Sequence, residues 1–247
     1  MKTEITERLK LKYSPVAVIA TGSKPENALE FAEGSRGCVV SLLSEAFKGK
    51  QAVFSGKTSG CPGGAVGLGF SVKSDDSIYH YLSTGIEGVT EGNAIKKTPE
   101  LAKDFIEEHT KIDVKPQEYL VLKPLADVDP EHETPEVVIF LANPDQLSAL
   151  TVLANYGRKG VENVIIPFAS GCAGACRFPW GEVEKDSPRA VIGMIEIPSR
   201  LYFDPDILSF SVPYKMMKEM ESNISGSFLE RSYWKKLVER IPDVENK

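Results

Sequence analysis

The stretch PEVVIFLANPDQLSALTVLANYG, Pro135 to Gly157, holds the signals for one strand and one helix in direct succession. Its run of apolar residues predicts a buried strand. Asn143 then suits a helix N-cap, Pro144 suits the first helical position, and Gly157 follows the last apolar residue. We interpret the leucines between them as core residues. The stretch therefore predicts a β-α unit.

A second stretch of the chain resembles this unit. PVAVIATGSKP, Pro15 to Pro25, matches PEVVIFLANP, Pro135 to Pro144, as an apolar strand and a turn that ends in proline. A helical segment, a second apolar strand (QAVFSG or NVIIPF) and a cysteine turn follow in each case. The turns themselves are similar: SGCPGGA, Ser59 to Ala65, and SGCAGAC, Ser170 to Cys176. The match predicts an internal duplication into two β-α-β halves, with chance similarity as the alternative.

Strands and helices alternate along the rest of the chain. EYLVLKPL, RAVIGMIEI and DILSFSV are typical of strands, and PYKMMKEMES and FLERSYWKKLVERI of helices. In SRGCVVSLLSEAFKGK, Ser35 is the predicted N-cap and Gly49 the stop, whereas the charged TPELAKDFIEEHTK predicts a solvated helix. We expect a mixed α+β fold, in which helices cover a mixed sheet.

One domain is predicted for residues 1–247, with no linker that divides it. The two similar halves span approximately 13–71 and 135–181. Residues 72–134 form an inserted or connecting region between them, and residues 182–247 supply C-terminal strands and helices.

Composition and charge exclude several classes of function. The formal net charge is −6, and no run of lysine or arginine exceeds a pair. Binding to nucleic acid or to an anionic membrane needs a concentrated basic patch, so we expect neither. The N-terminal residues lack the apolar core of a signal peptide, and no apolar run is long enough to span a bilayer. The sequence therefore predicts a cytoplasmic protein.

Four cysteines carry the main functional signal: Cys38, Cys61, Cys172 and Cys176. In a reducing cytoplasm so few cysteines do not indicate a disulfide framework, which favours metal binding or catalysis. Inert buried thiols are the alternative. Each cysteine stands beside glycine or other small residues, in SRGCVV, SGCPGG and SGCAGAC. Glycine lets the backbone approach a ligand closely and leaves amides free to face an anion or a cluster sulfur.

The spacing of the cysteines bears on the metal. Structural zinc commonly uses two short cysteine pairs. Here the pair Cys172 and Cys176 joins two widely separated cysteines, Cys38 and Cys61, which suits an iron–sulfur cluster better, with [4Fe–4S] the favoured type. Zinc is less favoured, and metal-free thiols stay open. Cys38 is predicted in the first turn of a helix, where the helix dipole favours a thiolate.

Other side chains near the cysteines have two interpretations each. Arg36 and Arg177 lie within two residues of a cysteine. They either stabilise a negatively charged cluster or bind a substrate carboxylate or phosphate, unless they are ordinary surface residues. Trp180 either shields a cluster or lies in the core, and Glu182 either donates a proton or is simply exposed. The three histidines, His80, His109 and His132, show no metal-ligand spacing and are assigned no ligand role.

Three stretches resemble a known family. They are RGCVVSLLSEAFKGKQAVFSGKTSGCPGGAVGLGF, FPWGE and SRLYFDPDILSFSVPYKMMKEM. Together they resemble domain of unknown function 169, also called ArCR, over nearly the whole chain. The resemblance implies a prokaryotic protein, commonly from archaea and anaerobic bacteria, and supplies no catalytic residues. An anaerobic habitat makes an oxygen-sensitive cofactor more plausible.

Two functional hypotheses follow from these residues. The first is a redox protein in anaerobic metabolism, whose [4Fe–4S] cluster is held by all four cysteines; in a variant, three cysteines leave one iron open to substrate, which would make an enzyme. The second is a non-redox module that binds a small anion through its glycine turns and arginines. The implied partner is a redox protein or a small anionic ligand, and a homodimer is left open.

Overall fold

The computed structural model describes Met1 and residues 3–242 of the chain. Within this part, helices cover both faces of one mixed sheet, so the predicted mixed α+β class is confirmed. The end of the predicted C-terminal region, 182–247, lies outside the described residues.

Seven of the described strands match apolar runs of the sequence, although some are shorter; the other two form a short hairpin that the sequence analysis did not predict. The run VVIFLA forms β6, in which every residue is buried, as expected for a strand with helices on both sides. The strands are β1 Val16–Thr21, β2 Ala52–Phe54, β3 Gly85–Ile86, β4 Thr90–Glu91, β5 Tyr119–Pro124, β6 Val137–Ala142, β7 Val164–Ile165, β8 Ala190–Gly193 and β9 Leu208–Pro213.

Seven of the described strands form the main sheet, in the order β2-β5-β1-β6-β9-β8-β7. Neighbouring strands are antiparallel except for β7 and β8. At its centre, Val18 of β1 lies opposite Leu122 of β5 on one side and Val137 of β6 on the other. The hairpin β3-β4 lies outside this sheet.

The helices are short, and several begin at a residue that the sequence analysis singled out. Asn143 and Gln146 form a complete capping box at the start of α6, which confirms the predicted helix start. The helices are α1 Glu4–Arg8, α2 Val39–Phe47, α3 Pro62–Gly67, α4 Asp76–Tyr81, α5 Pro99–Thr110, α6 Pro144–Tyr156, α7 Phe178–Trp180, α8 Tyr214–Ser222 and α9 Ser232–Val238. Among the described residues, none of these helices has both the length and the apolar character that crossing a bilayer would take.

The sheet separates two hydrophobic cores. On one face, α1, α6, α8 and α9 pack against the strands. The opposite face carries α2 and the segment from Cys172 to Trp180. A third, smaller core joins α4 and α5 to Val66 of α3. The cysteine segments therefore lie on one side of the sheet.

The internal duplication is not confirmed. Each half does contain two parallel strands joined through a helix, β1-α2-β2 and β6-α6-β7. However, α2 packs on one face of the sheet and α6 on the other. Because β1 and β6 are antiparallel neighbours, a twofold axis that exchanges them must be perpendicular to the sheet. Such a rotation keeps each face of the sheet unchanged, so it would place α2 and α6 on the same face. The region 72–134 also contributes β5, which lies between β1 and β2.

Several local predictions differ from the structure. The predicted helix FLERSYWKKLVERI is interrupted at Arg231, where the backbone is extended. Helix α2 begins after Cys38 rather than at Ser35. The predicted strand RAVIGMIEI ends at Gly193, because Met194 adopts a left-handed φ of 60°. Helix α5 is not simply solvated, since Phe105, Ile106 and His109 on one of its faces are buried. The sequence analysis weighed the many charged residues of this segment and did not recognise its apolar face.

Candidate functional site

Three of the four cysteines lie at or near the start of a helical element. Cys38 is the N-cap of α2 and Cys61 is the N-cap of α3, both with extended backbone, whereas Cys172 has helical dihedral angles and directly precedes a π-helical turn, Ala173–Arg177. We call the backbone around them the first, second and third cysteine turns. The amides of a first helical turn lack partners within the helix. The side chain of Cys61 accepts one of them, the N–H of Gly64, whereas no such cap bond forms at Cys172.

The first and second cysteine turns are joined directly. The N–H of Gly37 donates to the C=O of Gly60 across 3.0 Å. The ring of Phe31 covers both glycines, and a Cβ atom on Gly37 would lie 2.2 Å from that ring. Gly60 also has a φ of +78°, which a residue with a side chain rarely adopts. Cys38 and Cys61 therefore follow two glycines that must stay glycine for the turns to meet.

The second and third cysteine turns are joined through α3. A Cβ atom on Gly67 would lie only 2.4 Å from Cys172 Sγ. The same sulfur lies 3.9 Å from the C=O of Gly63, and Cys61 Sγ accepts the N–H of Gly64 across 3.1 Å. The start of the third turn thus packs directly on the short helix that Cys61 caps.

The third turn also packs against α2. A Cβ atom on Gly171 would lie 2.1 Å from Ser199 Oγ and 3.0 Å from Val40 Cγ2. Gly64 similarly faces Val39 at the start of α2. The glycines that the sequence analysis assigned to ligand approach therefore have a demonstrated packing role. They bring three cysteine turns from distant parts of the chain to one place.

Without a metal, the thiols are poor nucleophiles. Burial raises the pKa of Cys38 and of Cys61, although the amides of Val40 and Ser41 beside Cys38 oppose the rise. Burial raises the pKa of Cys172 well above its ordinary value, and Cys61 and Cys38 raise it further. The predicted thiolate-favouring effect of the helix dipole at Cys38 therefore does not dominate. Metal binding would displace the thiol protons, whereas nucleophilic catalysis would need a thiolate from the start.

The environment of Cys176 differs from that of the other three cysteines. Its side chain is completely buried among apolar residues, and burial raises its pKa to about 12. Cys38 raises the pKa of Cys61, and Cys61, Cys38 and Cys176 all raise that of Cys172, whereas burial alone accounts for the raised pKa of Cys176. Across Met1 and residues 3–242, no group of three His, Cys, Asp or Glu side chains is arranged to hold a single metal ion.

His109 fixes the start of the third cysteine turn. It is buried, its Nδ1 donates to the C=O of Phe105, and its Nε2 accepts the N–H of Ser170 across 3.2 Å. This arrangement requires a neutral imidazole, because a doubly protonated ring has no acceptor. The sequence analysis gave His109 no ligand role, and its position at the end of a charged helix did not reveal this anchor.

The anchor predicts a specific dependence of stability on pH. Burial lowers the pKa of His109 to about 4, from an ordinary value near 6.5. Its contribution is fully present above pH 6.5 and is lost as the pH falls toward 4, by about 3 kcal/mol. Urea unfolding of wild type and His109→Gln should therefore differ in pH dependence over this range. The exposed His132→Gln is the control, and an identical pH dependence of wild type and His109→Gln would contradict the role.

The two arginines next to cysteines have different environments. Arg36 is exposed. Arg177 is 1% exposed, and its five N–H groups donate to four backbone carbonyls, those of Val66, Ser71, Thr110 and Ile112. Val66 belongs to the last turn of α3 and Thr110 ends α5, so Arg177 satisfies the ends of two helices. A cofactor-binding role for either arginine stays a prediction.

A buried carboxylate lies beside the cysteine turns. Glu196 is 8% exposed, and its Oε2 accepts the N–H of Gly171 across 3.2 Å and the hydroxyl of Ser199 across 2.5 Å. Its charge acts to raise the pKa of both Cys38 and Cys61. The sequence analysis missed Glu196 because it assigned this residue to a strand. The only sequence signal was an acidic residue within an apolar run.

The contacts of the FPWGE segment are those of core packing and ion pairing. Trp180 belongs to the apolar core on the cysteine side of the sheet. Glu182 is buried rather than exposed, and it pairs with Arg189 and Lys185, each across 2.7 Å. These ion pairs lower the pKa of Glu182 against the opposing effect of burial, so it is ionised at neutral pH.

Comparison with known proteins places the chain in one family. The sequence model of domain of unknown function 169, described as uncharacterised ArCR, matches residues 4–223. Neither a curated protein nor a solved structure matches the chain. The match includes all three cysteine turns, His109, Arg177 and Glu196. The chain therefore belongs to the family of domain of unknown function 169.

Proposed function

We propose that this chain binds an iron–sulfur cluster, with [4Fe–4S] the favoured type, through Cys38, Cys61 and Cys172. The observation that carries the proposal is the packing of the three cysteine turns against one another through Gly37, Gly60 and Gly67. The chain holds close together three thiols that are 23 and 111 residues apart in sequence. Three inert core thiols would not need this arrangement of glycines.

The donors fit a cluster in type. Thiolates are the usual ligands of iron–sulfur clusters. A single zinc ion needs its sulfur ligands at about 2.3 Å from one point, and no such group occurs in the described part of the chain. A cluster spreads its ligands over several iron atoms and accepts wider spacing. The Gly64 amide on Cys61 Sγ supplies the hydrogen bond to sulfur that tunes such centres.

A bound cluster would supply one-electron chemistry, which requires a redox partner. The residues of this chain would hold the cluster and partly exclude water, since Cys172 is buried while Cys38 and Cys61 are half-buried. Three ligands correspond to the variant in which one iron is open to another ligand. Cys176 as a fourth ligand, and a homodimer, stay predictions.

The alternative, a module that binds a small anion, has less support. It would use Arg36 and Arg177 to hold the anion. All five N–H groups of Arg177 are already bonded to carbonyls, so an anion could bind there only if these bonds broke. Arg36 alone is an exposed surface residue.

Anaerobic reconstitution tests the proposal. The purified reduced chain is incubated with ferrous iron and sulfide, desalted, and assayed for iron, acid-labile sulfide and visible absorption. We expect a brown protein with about four iron and four sulfide per chain, whose colour bleaches on reduction with dithionite. A parallel incubation with zinc alone tests the single-ion alternative. A colourless chain with four titratable thiols, or zinc uptake without iron–sulfide uptake, would contradict the proposal.

A further inference from the structure

A carboxylate is unusual next to a group of thiols that would become negatively charged. Glu196 is buried, yet no lysine or arginine pairs with it among the described residues; the groups that bond its Oε2 are the Gly171 amide and the Ser199 hydroxyl. A buried carboxylate without a cationic partner is costly unless other hydrogen bonds compensate for it. We therefore expect Glu196 to have a role beyond packing.

The backbone around Glu196 is held in an unusual conformation. Met194, two residues earlier, is buried and has a φ of 60°, a region that residues with side chains rarely adopt. Arg200 contacts the same segment by donating to the C=O of Ile207 and, across 3.5 Å, to that of Met194. Residues held in rare conformations often occur at functional sites, where the surrounding structure compensates for their strain.

The carboxylate also links two elements of the site. Gly171 immediately precedes Cys172, and Ser199 belongs to the 3-10 helix Ile197–Tyr202. Glu196 therefore ties the third cysteine turn to that helix. At the same time its charge acts on Cys38 and Cys61 in the other two turns. Glu196 is thus bonded to the third cysteine turn, and its charge acts on the thiols of the other two.

We propose that Glu196 is a positioning residue of the cluster site, which orients the Cys172 turn through Gly171 and lowers the reduction potential of the bound cluster with its negative charge. The inference rests on the proposed function. A fixed negative charge near a cluster disfavours the addition of an electron. The hydrogen bond to Gly171 and the charge are separable, because glutamine keeps an acceptor oxygen in the same place but carries no charge.

Two substitutions test the two roles. In Glu196→Gln, we expect cluster content close to wild type and a midpoint potential shifted to a more positive value. In Glu196→Ala, which also loses both hydrogen bonds, we expect the cluster-free chain to melt about 5 °C lower than wild type. Glu45→Gln is the control for the potential: it makes the same change in net charge, at a residue bonded to Lys48 and Lys50.

The outcomes separate this inference from the proposed function. A wild-type chain that takes up no iron and sulfide overturns the proposed function and the electrostatic role of Glu196 with it. A loaded Glu196→Gln chain whose potential shifts no more than that of Glu45→Gln overturns the electrostatic role alone. An unchanged melting temperature in cluster-free Glu196→Ala overturns the positioning role, whether or not a cluster binds.

Discussion

Cys61→Ala is expected to abolish cluster binding, whereas Cys176→Ala leaves it intact. Cys61 caps α3, and its sulfur accepts the Gly64 amide beside the other two cysteine turns. Removal of a group that only orients a metal ligand commonly costs 10- to 100-fold in affinity, and removal of a ligand costs at least as much. We therefore expect the iron and sulfide content of Cys61→Ala after desalting to fall at least tenfold.

Cys176→Ala is the matched control because it makes the same substitution at the cysteine that the proposal leaves out of the ligand set. The Cys176 side chain is completely buried, so its loss leaves a small cavity and a modest loss of stability. Its iron and sulfide content should equal that of wild type. Cys38→Ala and Cys172→Ala should behave like Cys61→Ala.

Two results would change the assignment. If Cys176→Ala also loses the cluster while its fold is intact, the four-cysteine ligand set expected from the sequence is correct. If Cys61→Ala retains a full cluster, the three turns do not form the binding site. Circular dichroism of each cluster-free variant separates loss of the ligand from loss of the fold.

The sequence predicted most of the strands and the start of α6 well because these signals are local. The apolar run of β6, the capping box at Asn143 and the glycines around Cys61 depend on a few neighbouring residues. The face of the sheet that a helix covers depends on the whole connection, and a strand-helix-strand pattern does not encode it. This is why the two similar halves predicted a symmetry that the opposite positions of α2 and α6 do not show.

The supporting residues of the site were harder to predict than the cysteines. His109 and Glu196 act on the backbone amides of Ser170 and Gly171, 61 and 25 residues away. A partner that is a backbone group leaves no pattern of residue types in the sequence. Arg177 was noticed for its neighbour Cys176, but its contacts are carbonyls at the ends of two helices.

Arg177→Met is expected to lower the free energy of unfolding by about 4 kcal/mol, the largest loss of stability that we expect for a single substitution in this chain. Methionine has a similar length but no donor, so the carbonyls of Val66, Thr110 and Ile112 would lose their bonds to the guanidinium. The carbonyls of Thr110 and Ile112 lie at or just after the end of α5, where no further helical amide can replace the lost donor, whereas that of Val66 keeps the amide of Gly69. The measurement is urea unfolding of the cluster-free, reduced chain.

Two further variants identify the cause of that loss. Arg177→Lys keeps the charge but offers three donors from one nitrogen instead of a planar fork, and we expect it to lose about 2 kcal/mol. Arg36→Met makes the same substitution at the other arginine beside a cysteine; because Arg36 is exposed, its loss should be no more than about 0.5 kcal/mol. Equal losses in Arg177→Met and Arg36→Met would contradict the contacts described for Arg177. A full loss in Arg177→Lys would show that the fork geometry, rather than the number of donors, joins α3 to α5 and so holds the second cysteine turn against the third.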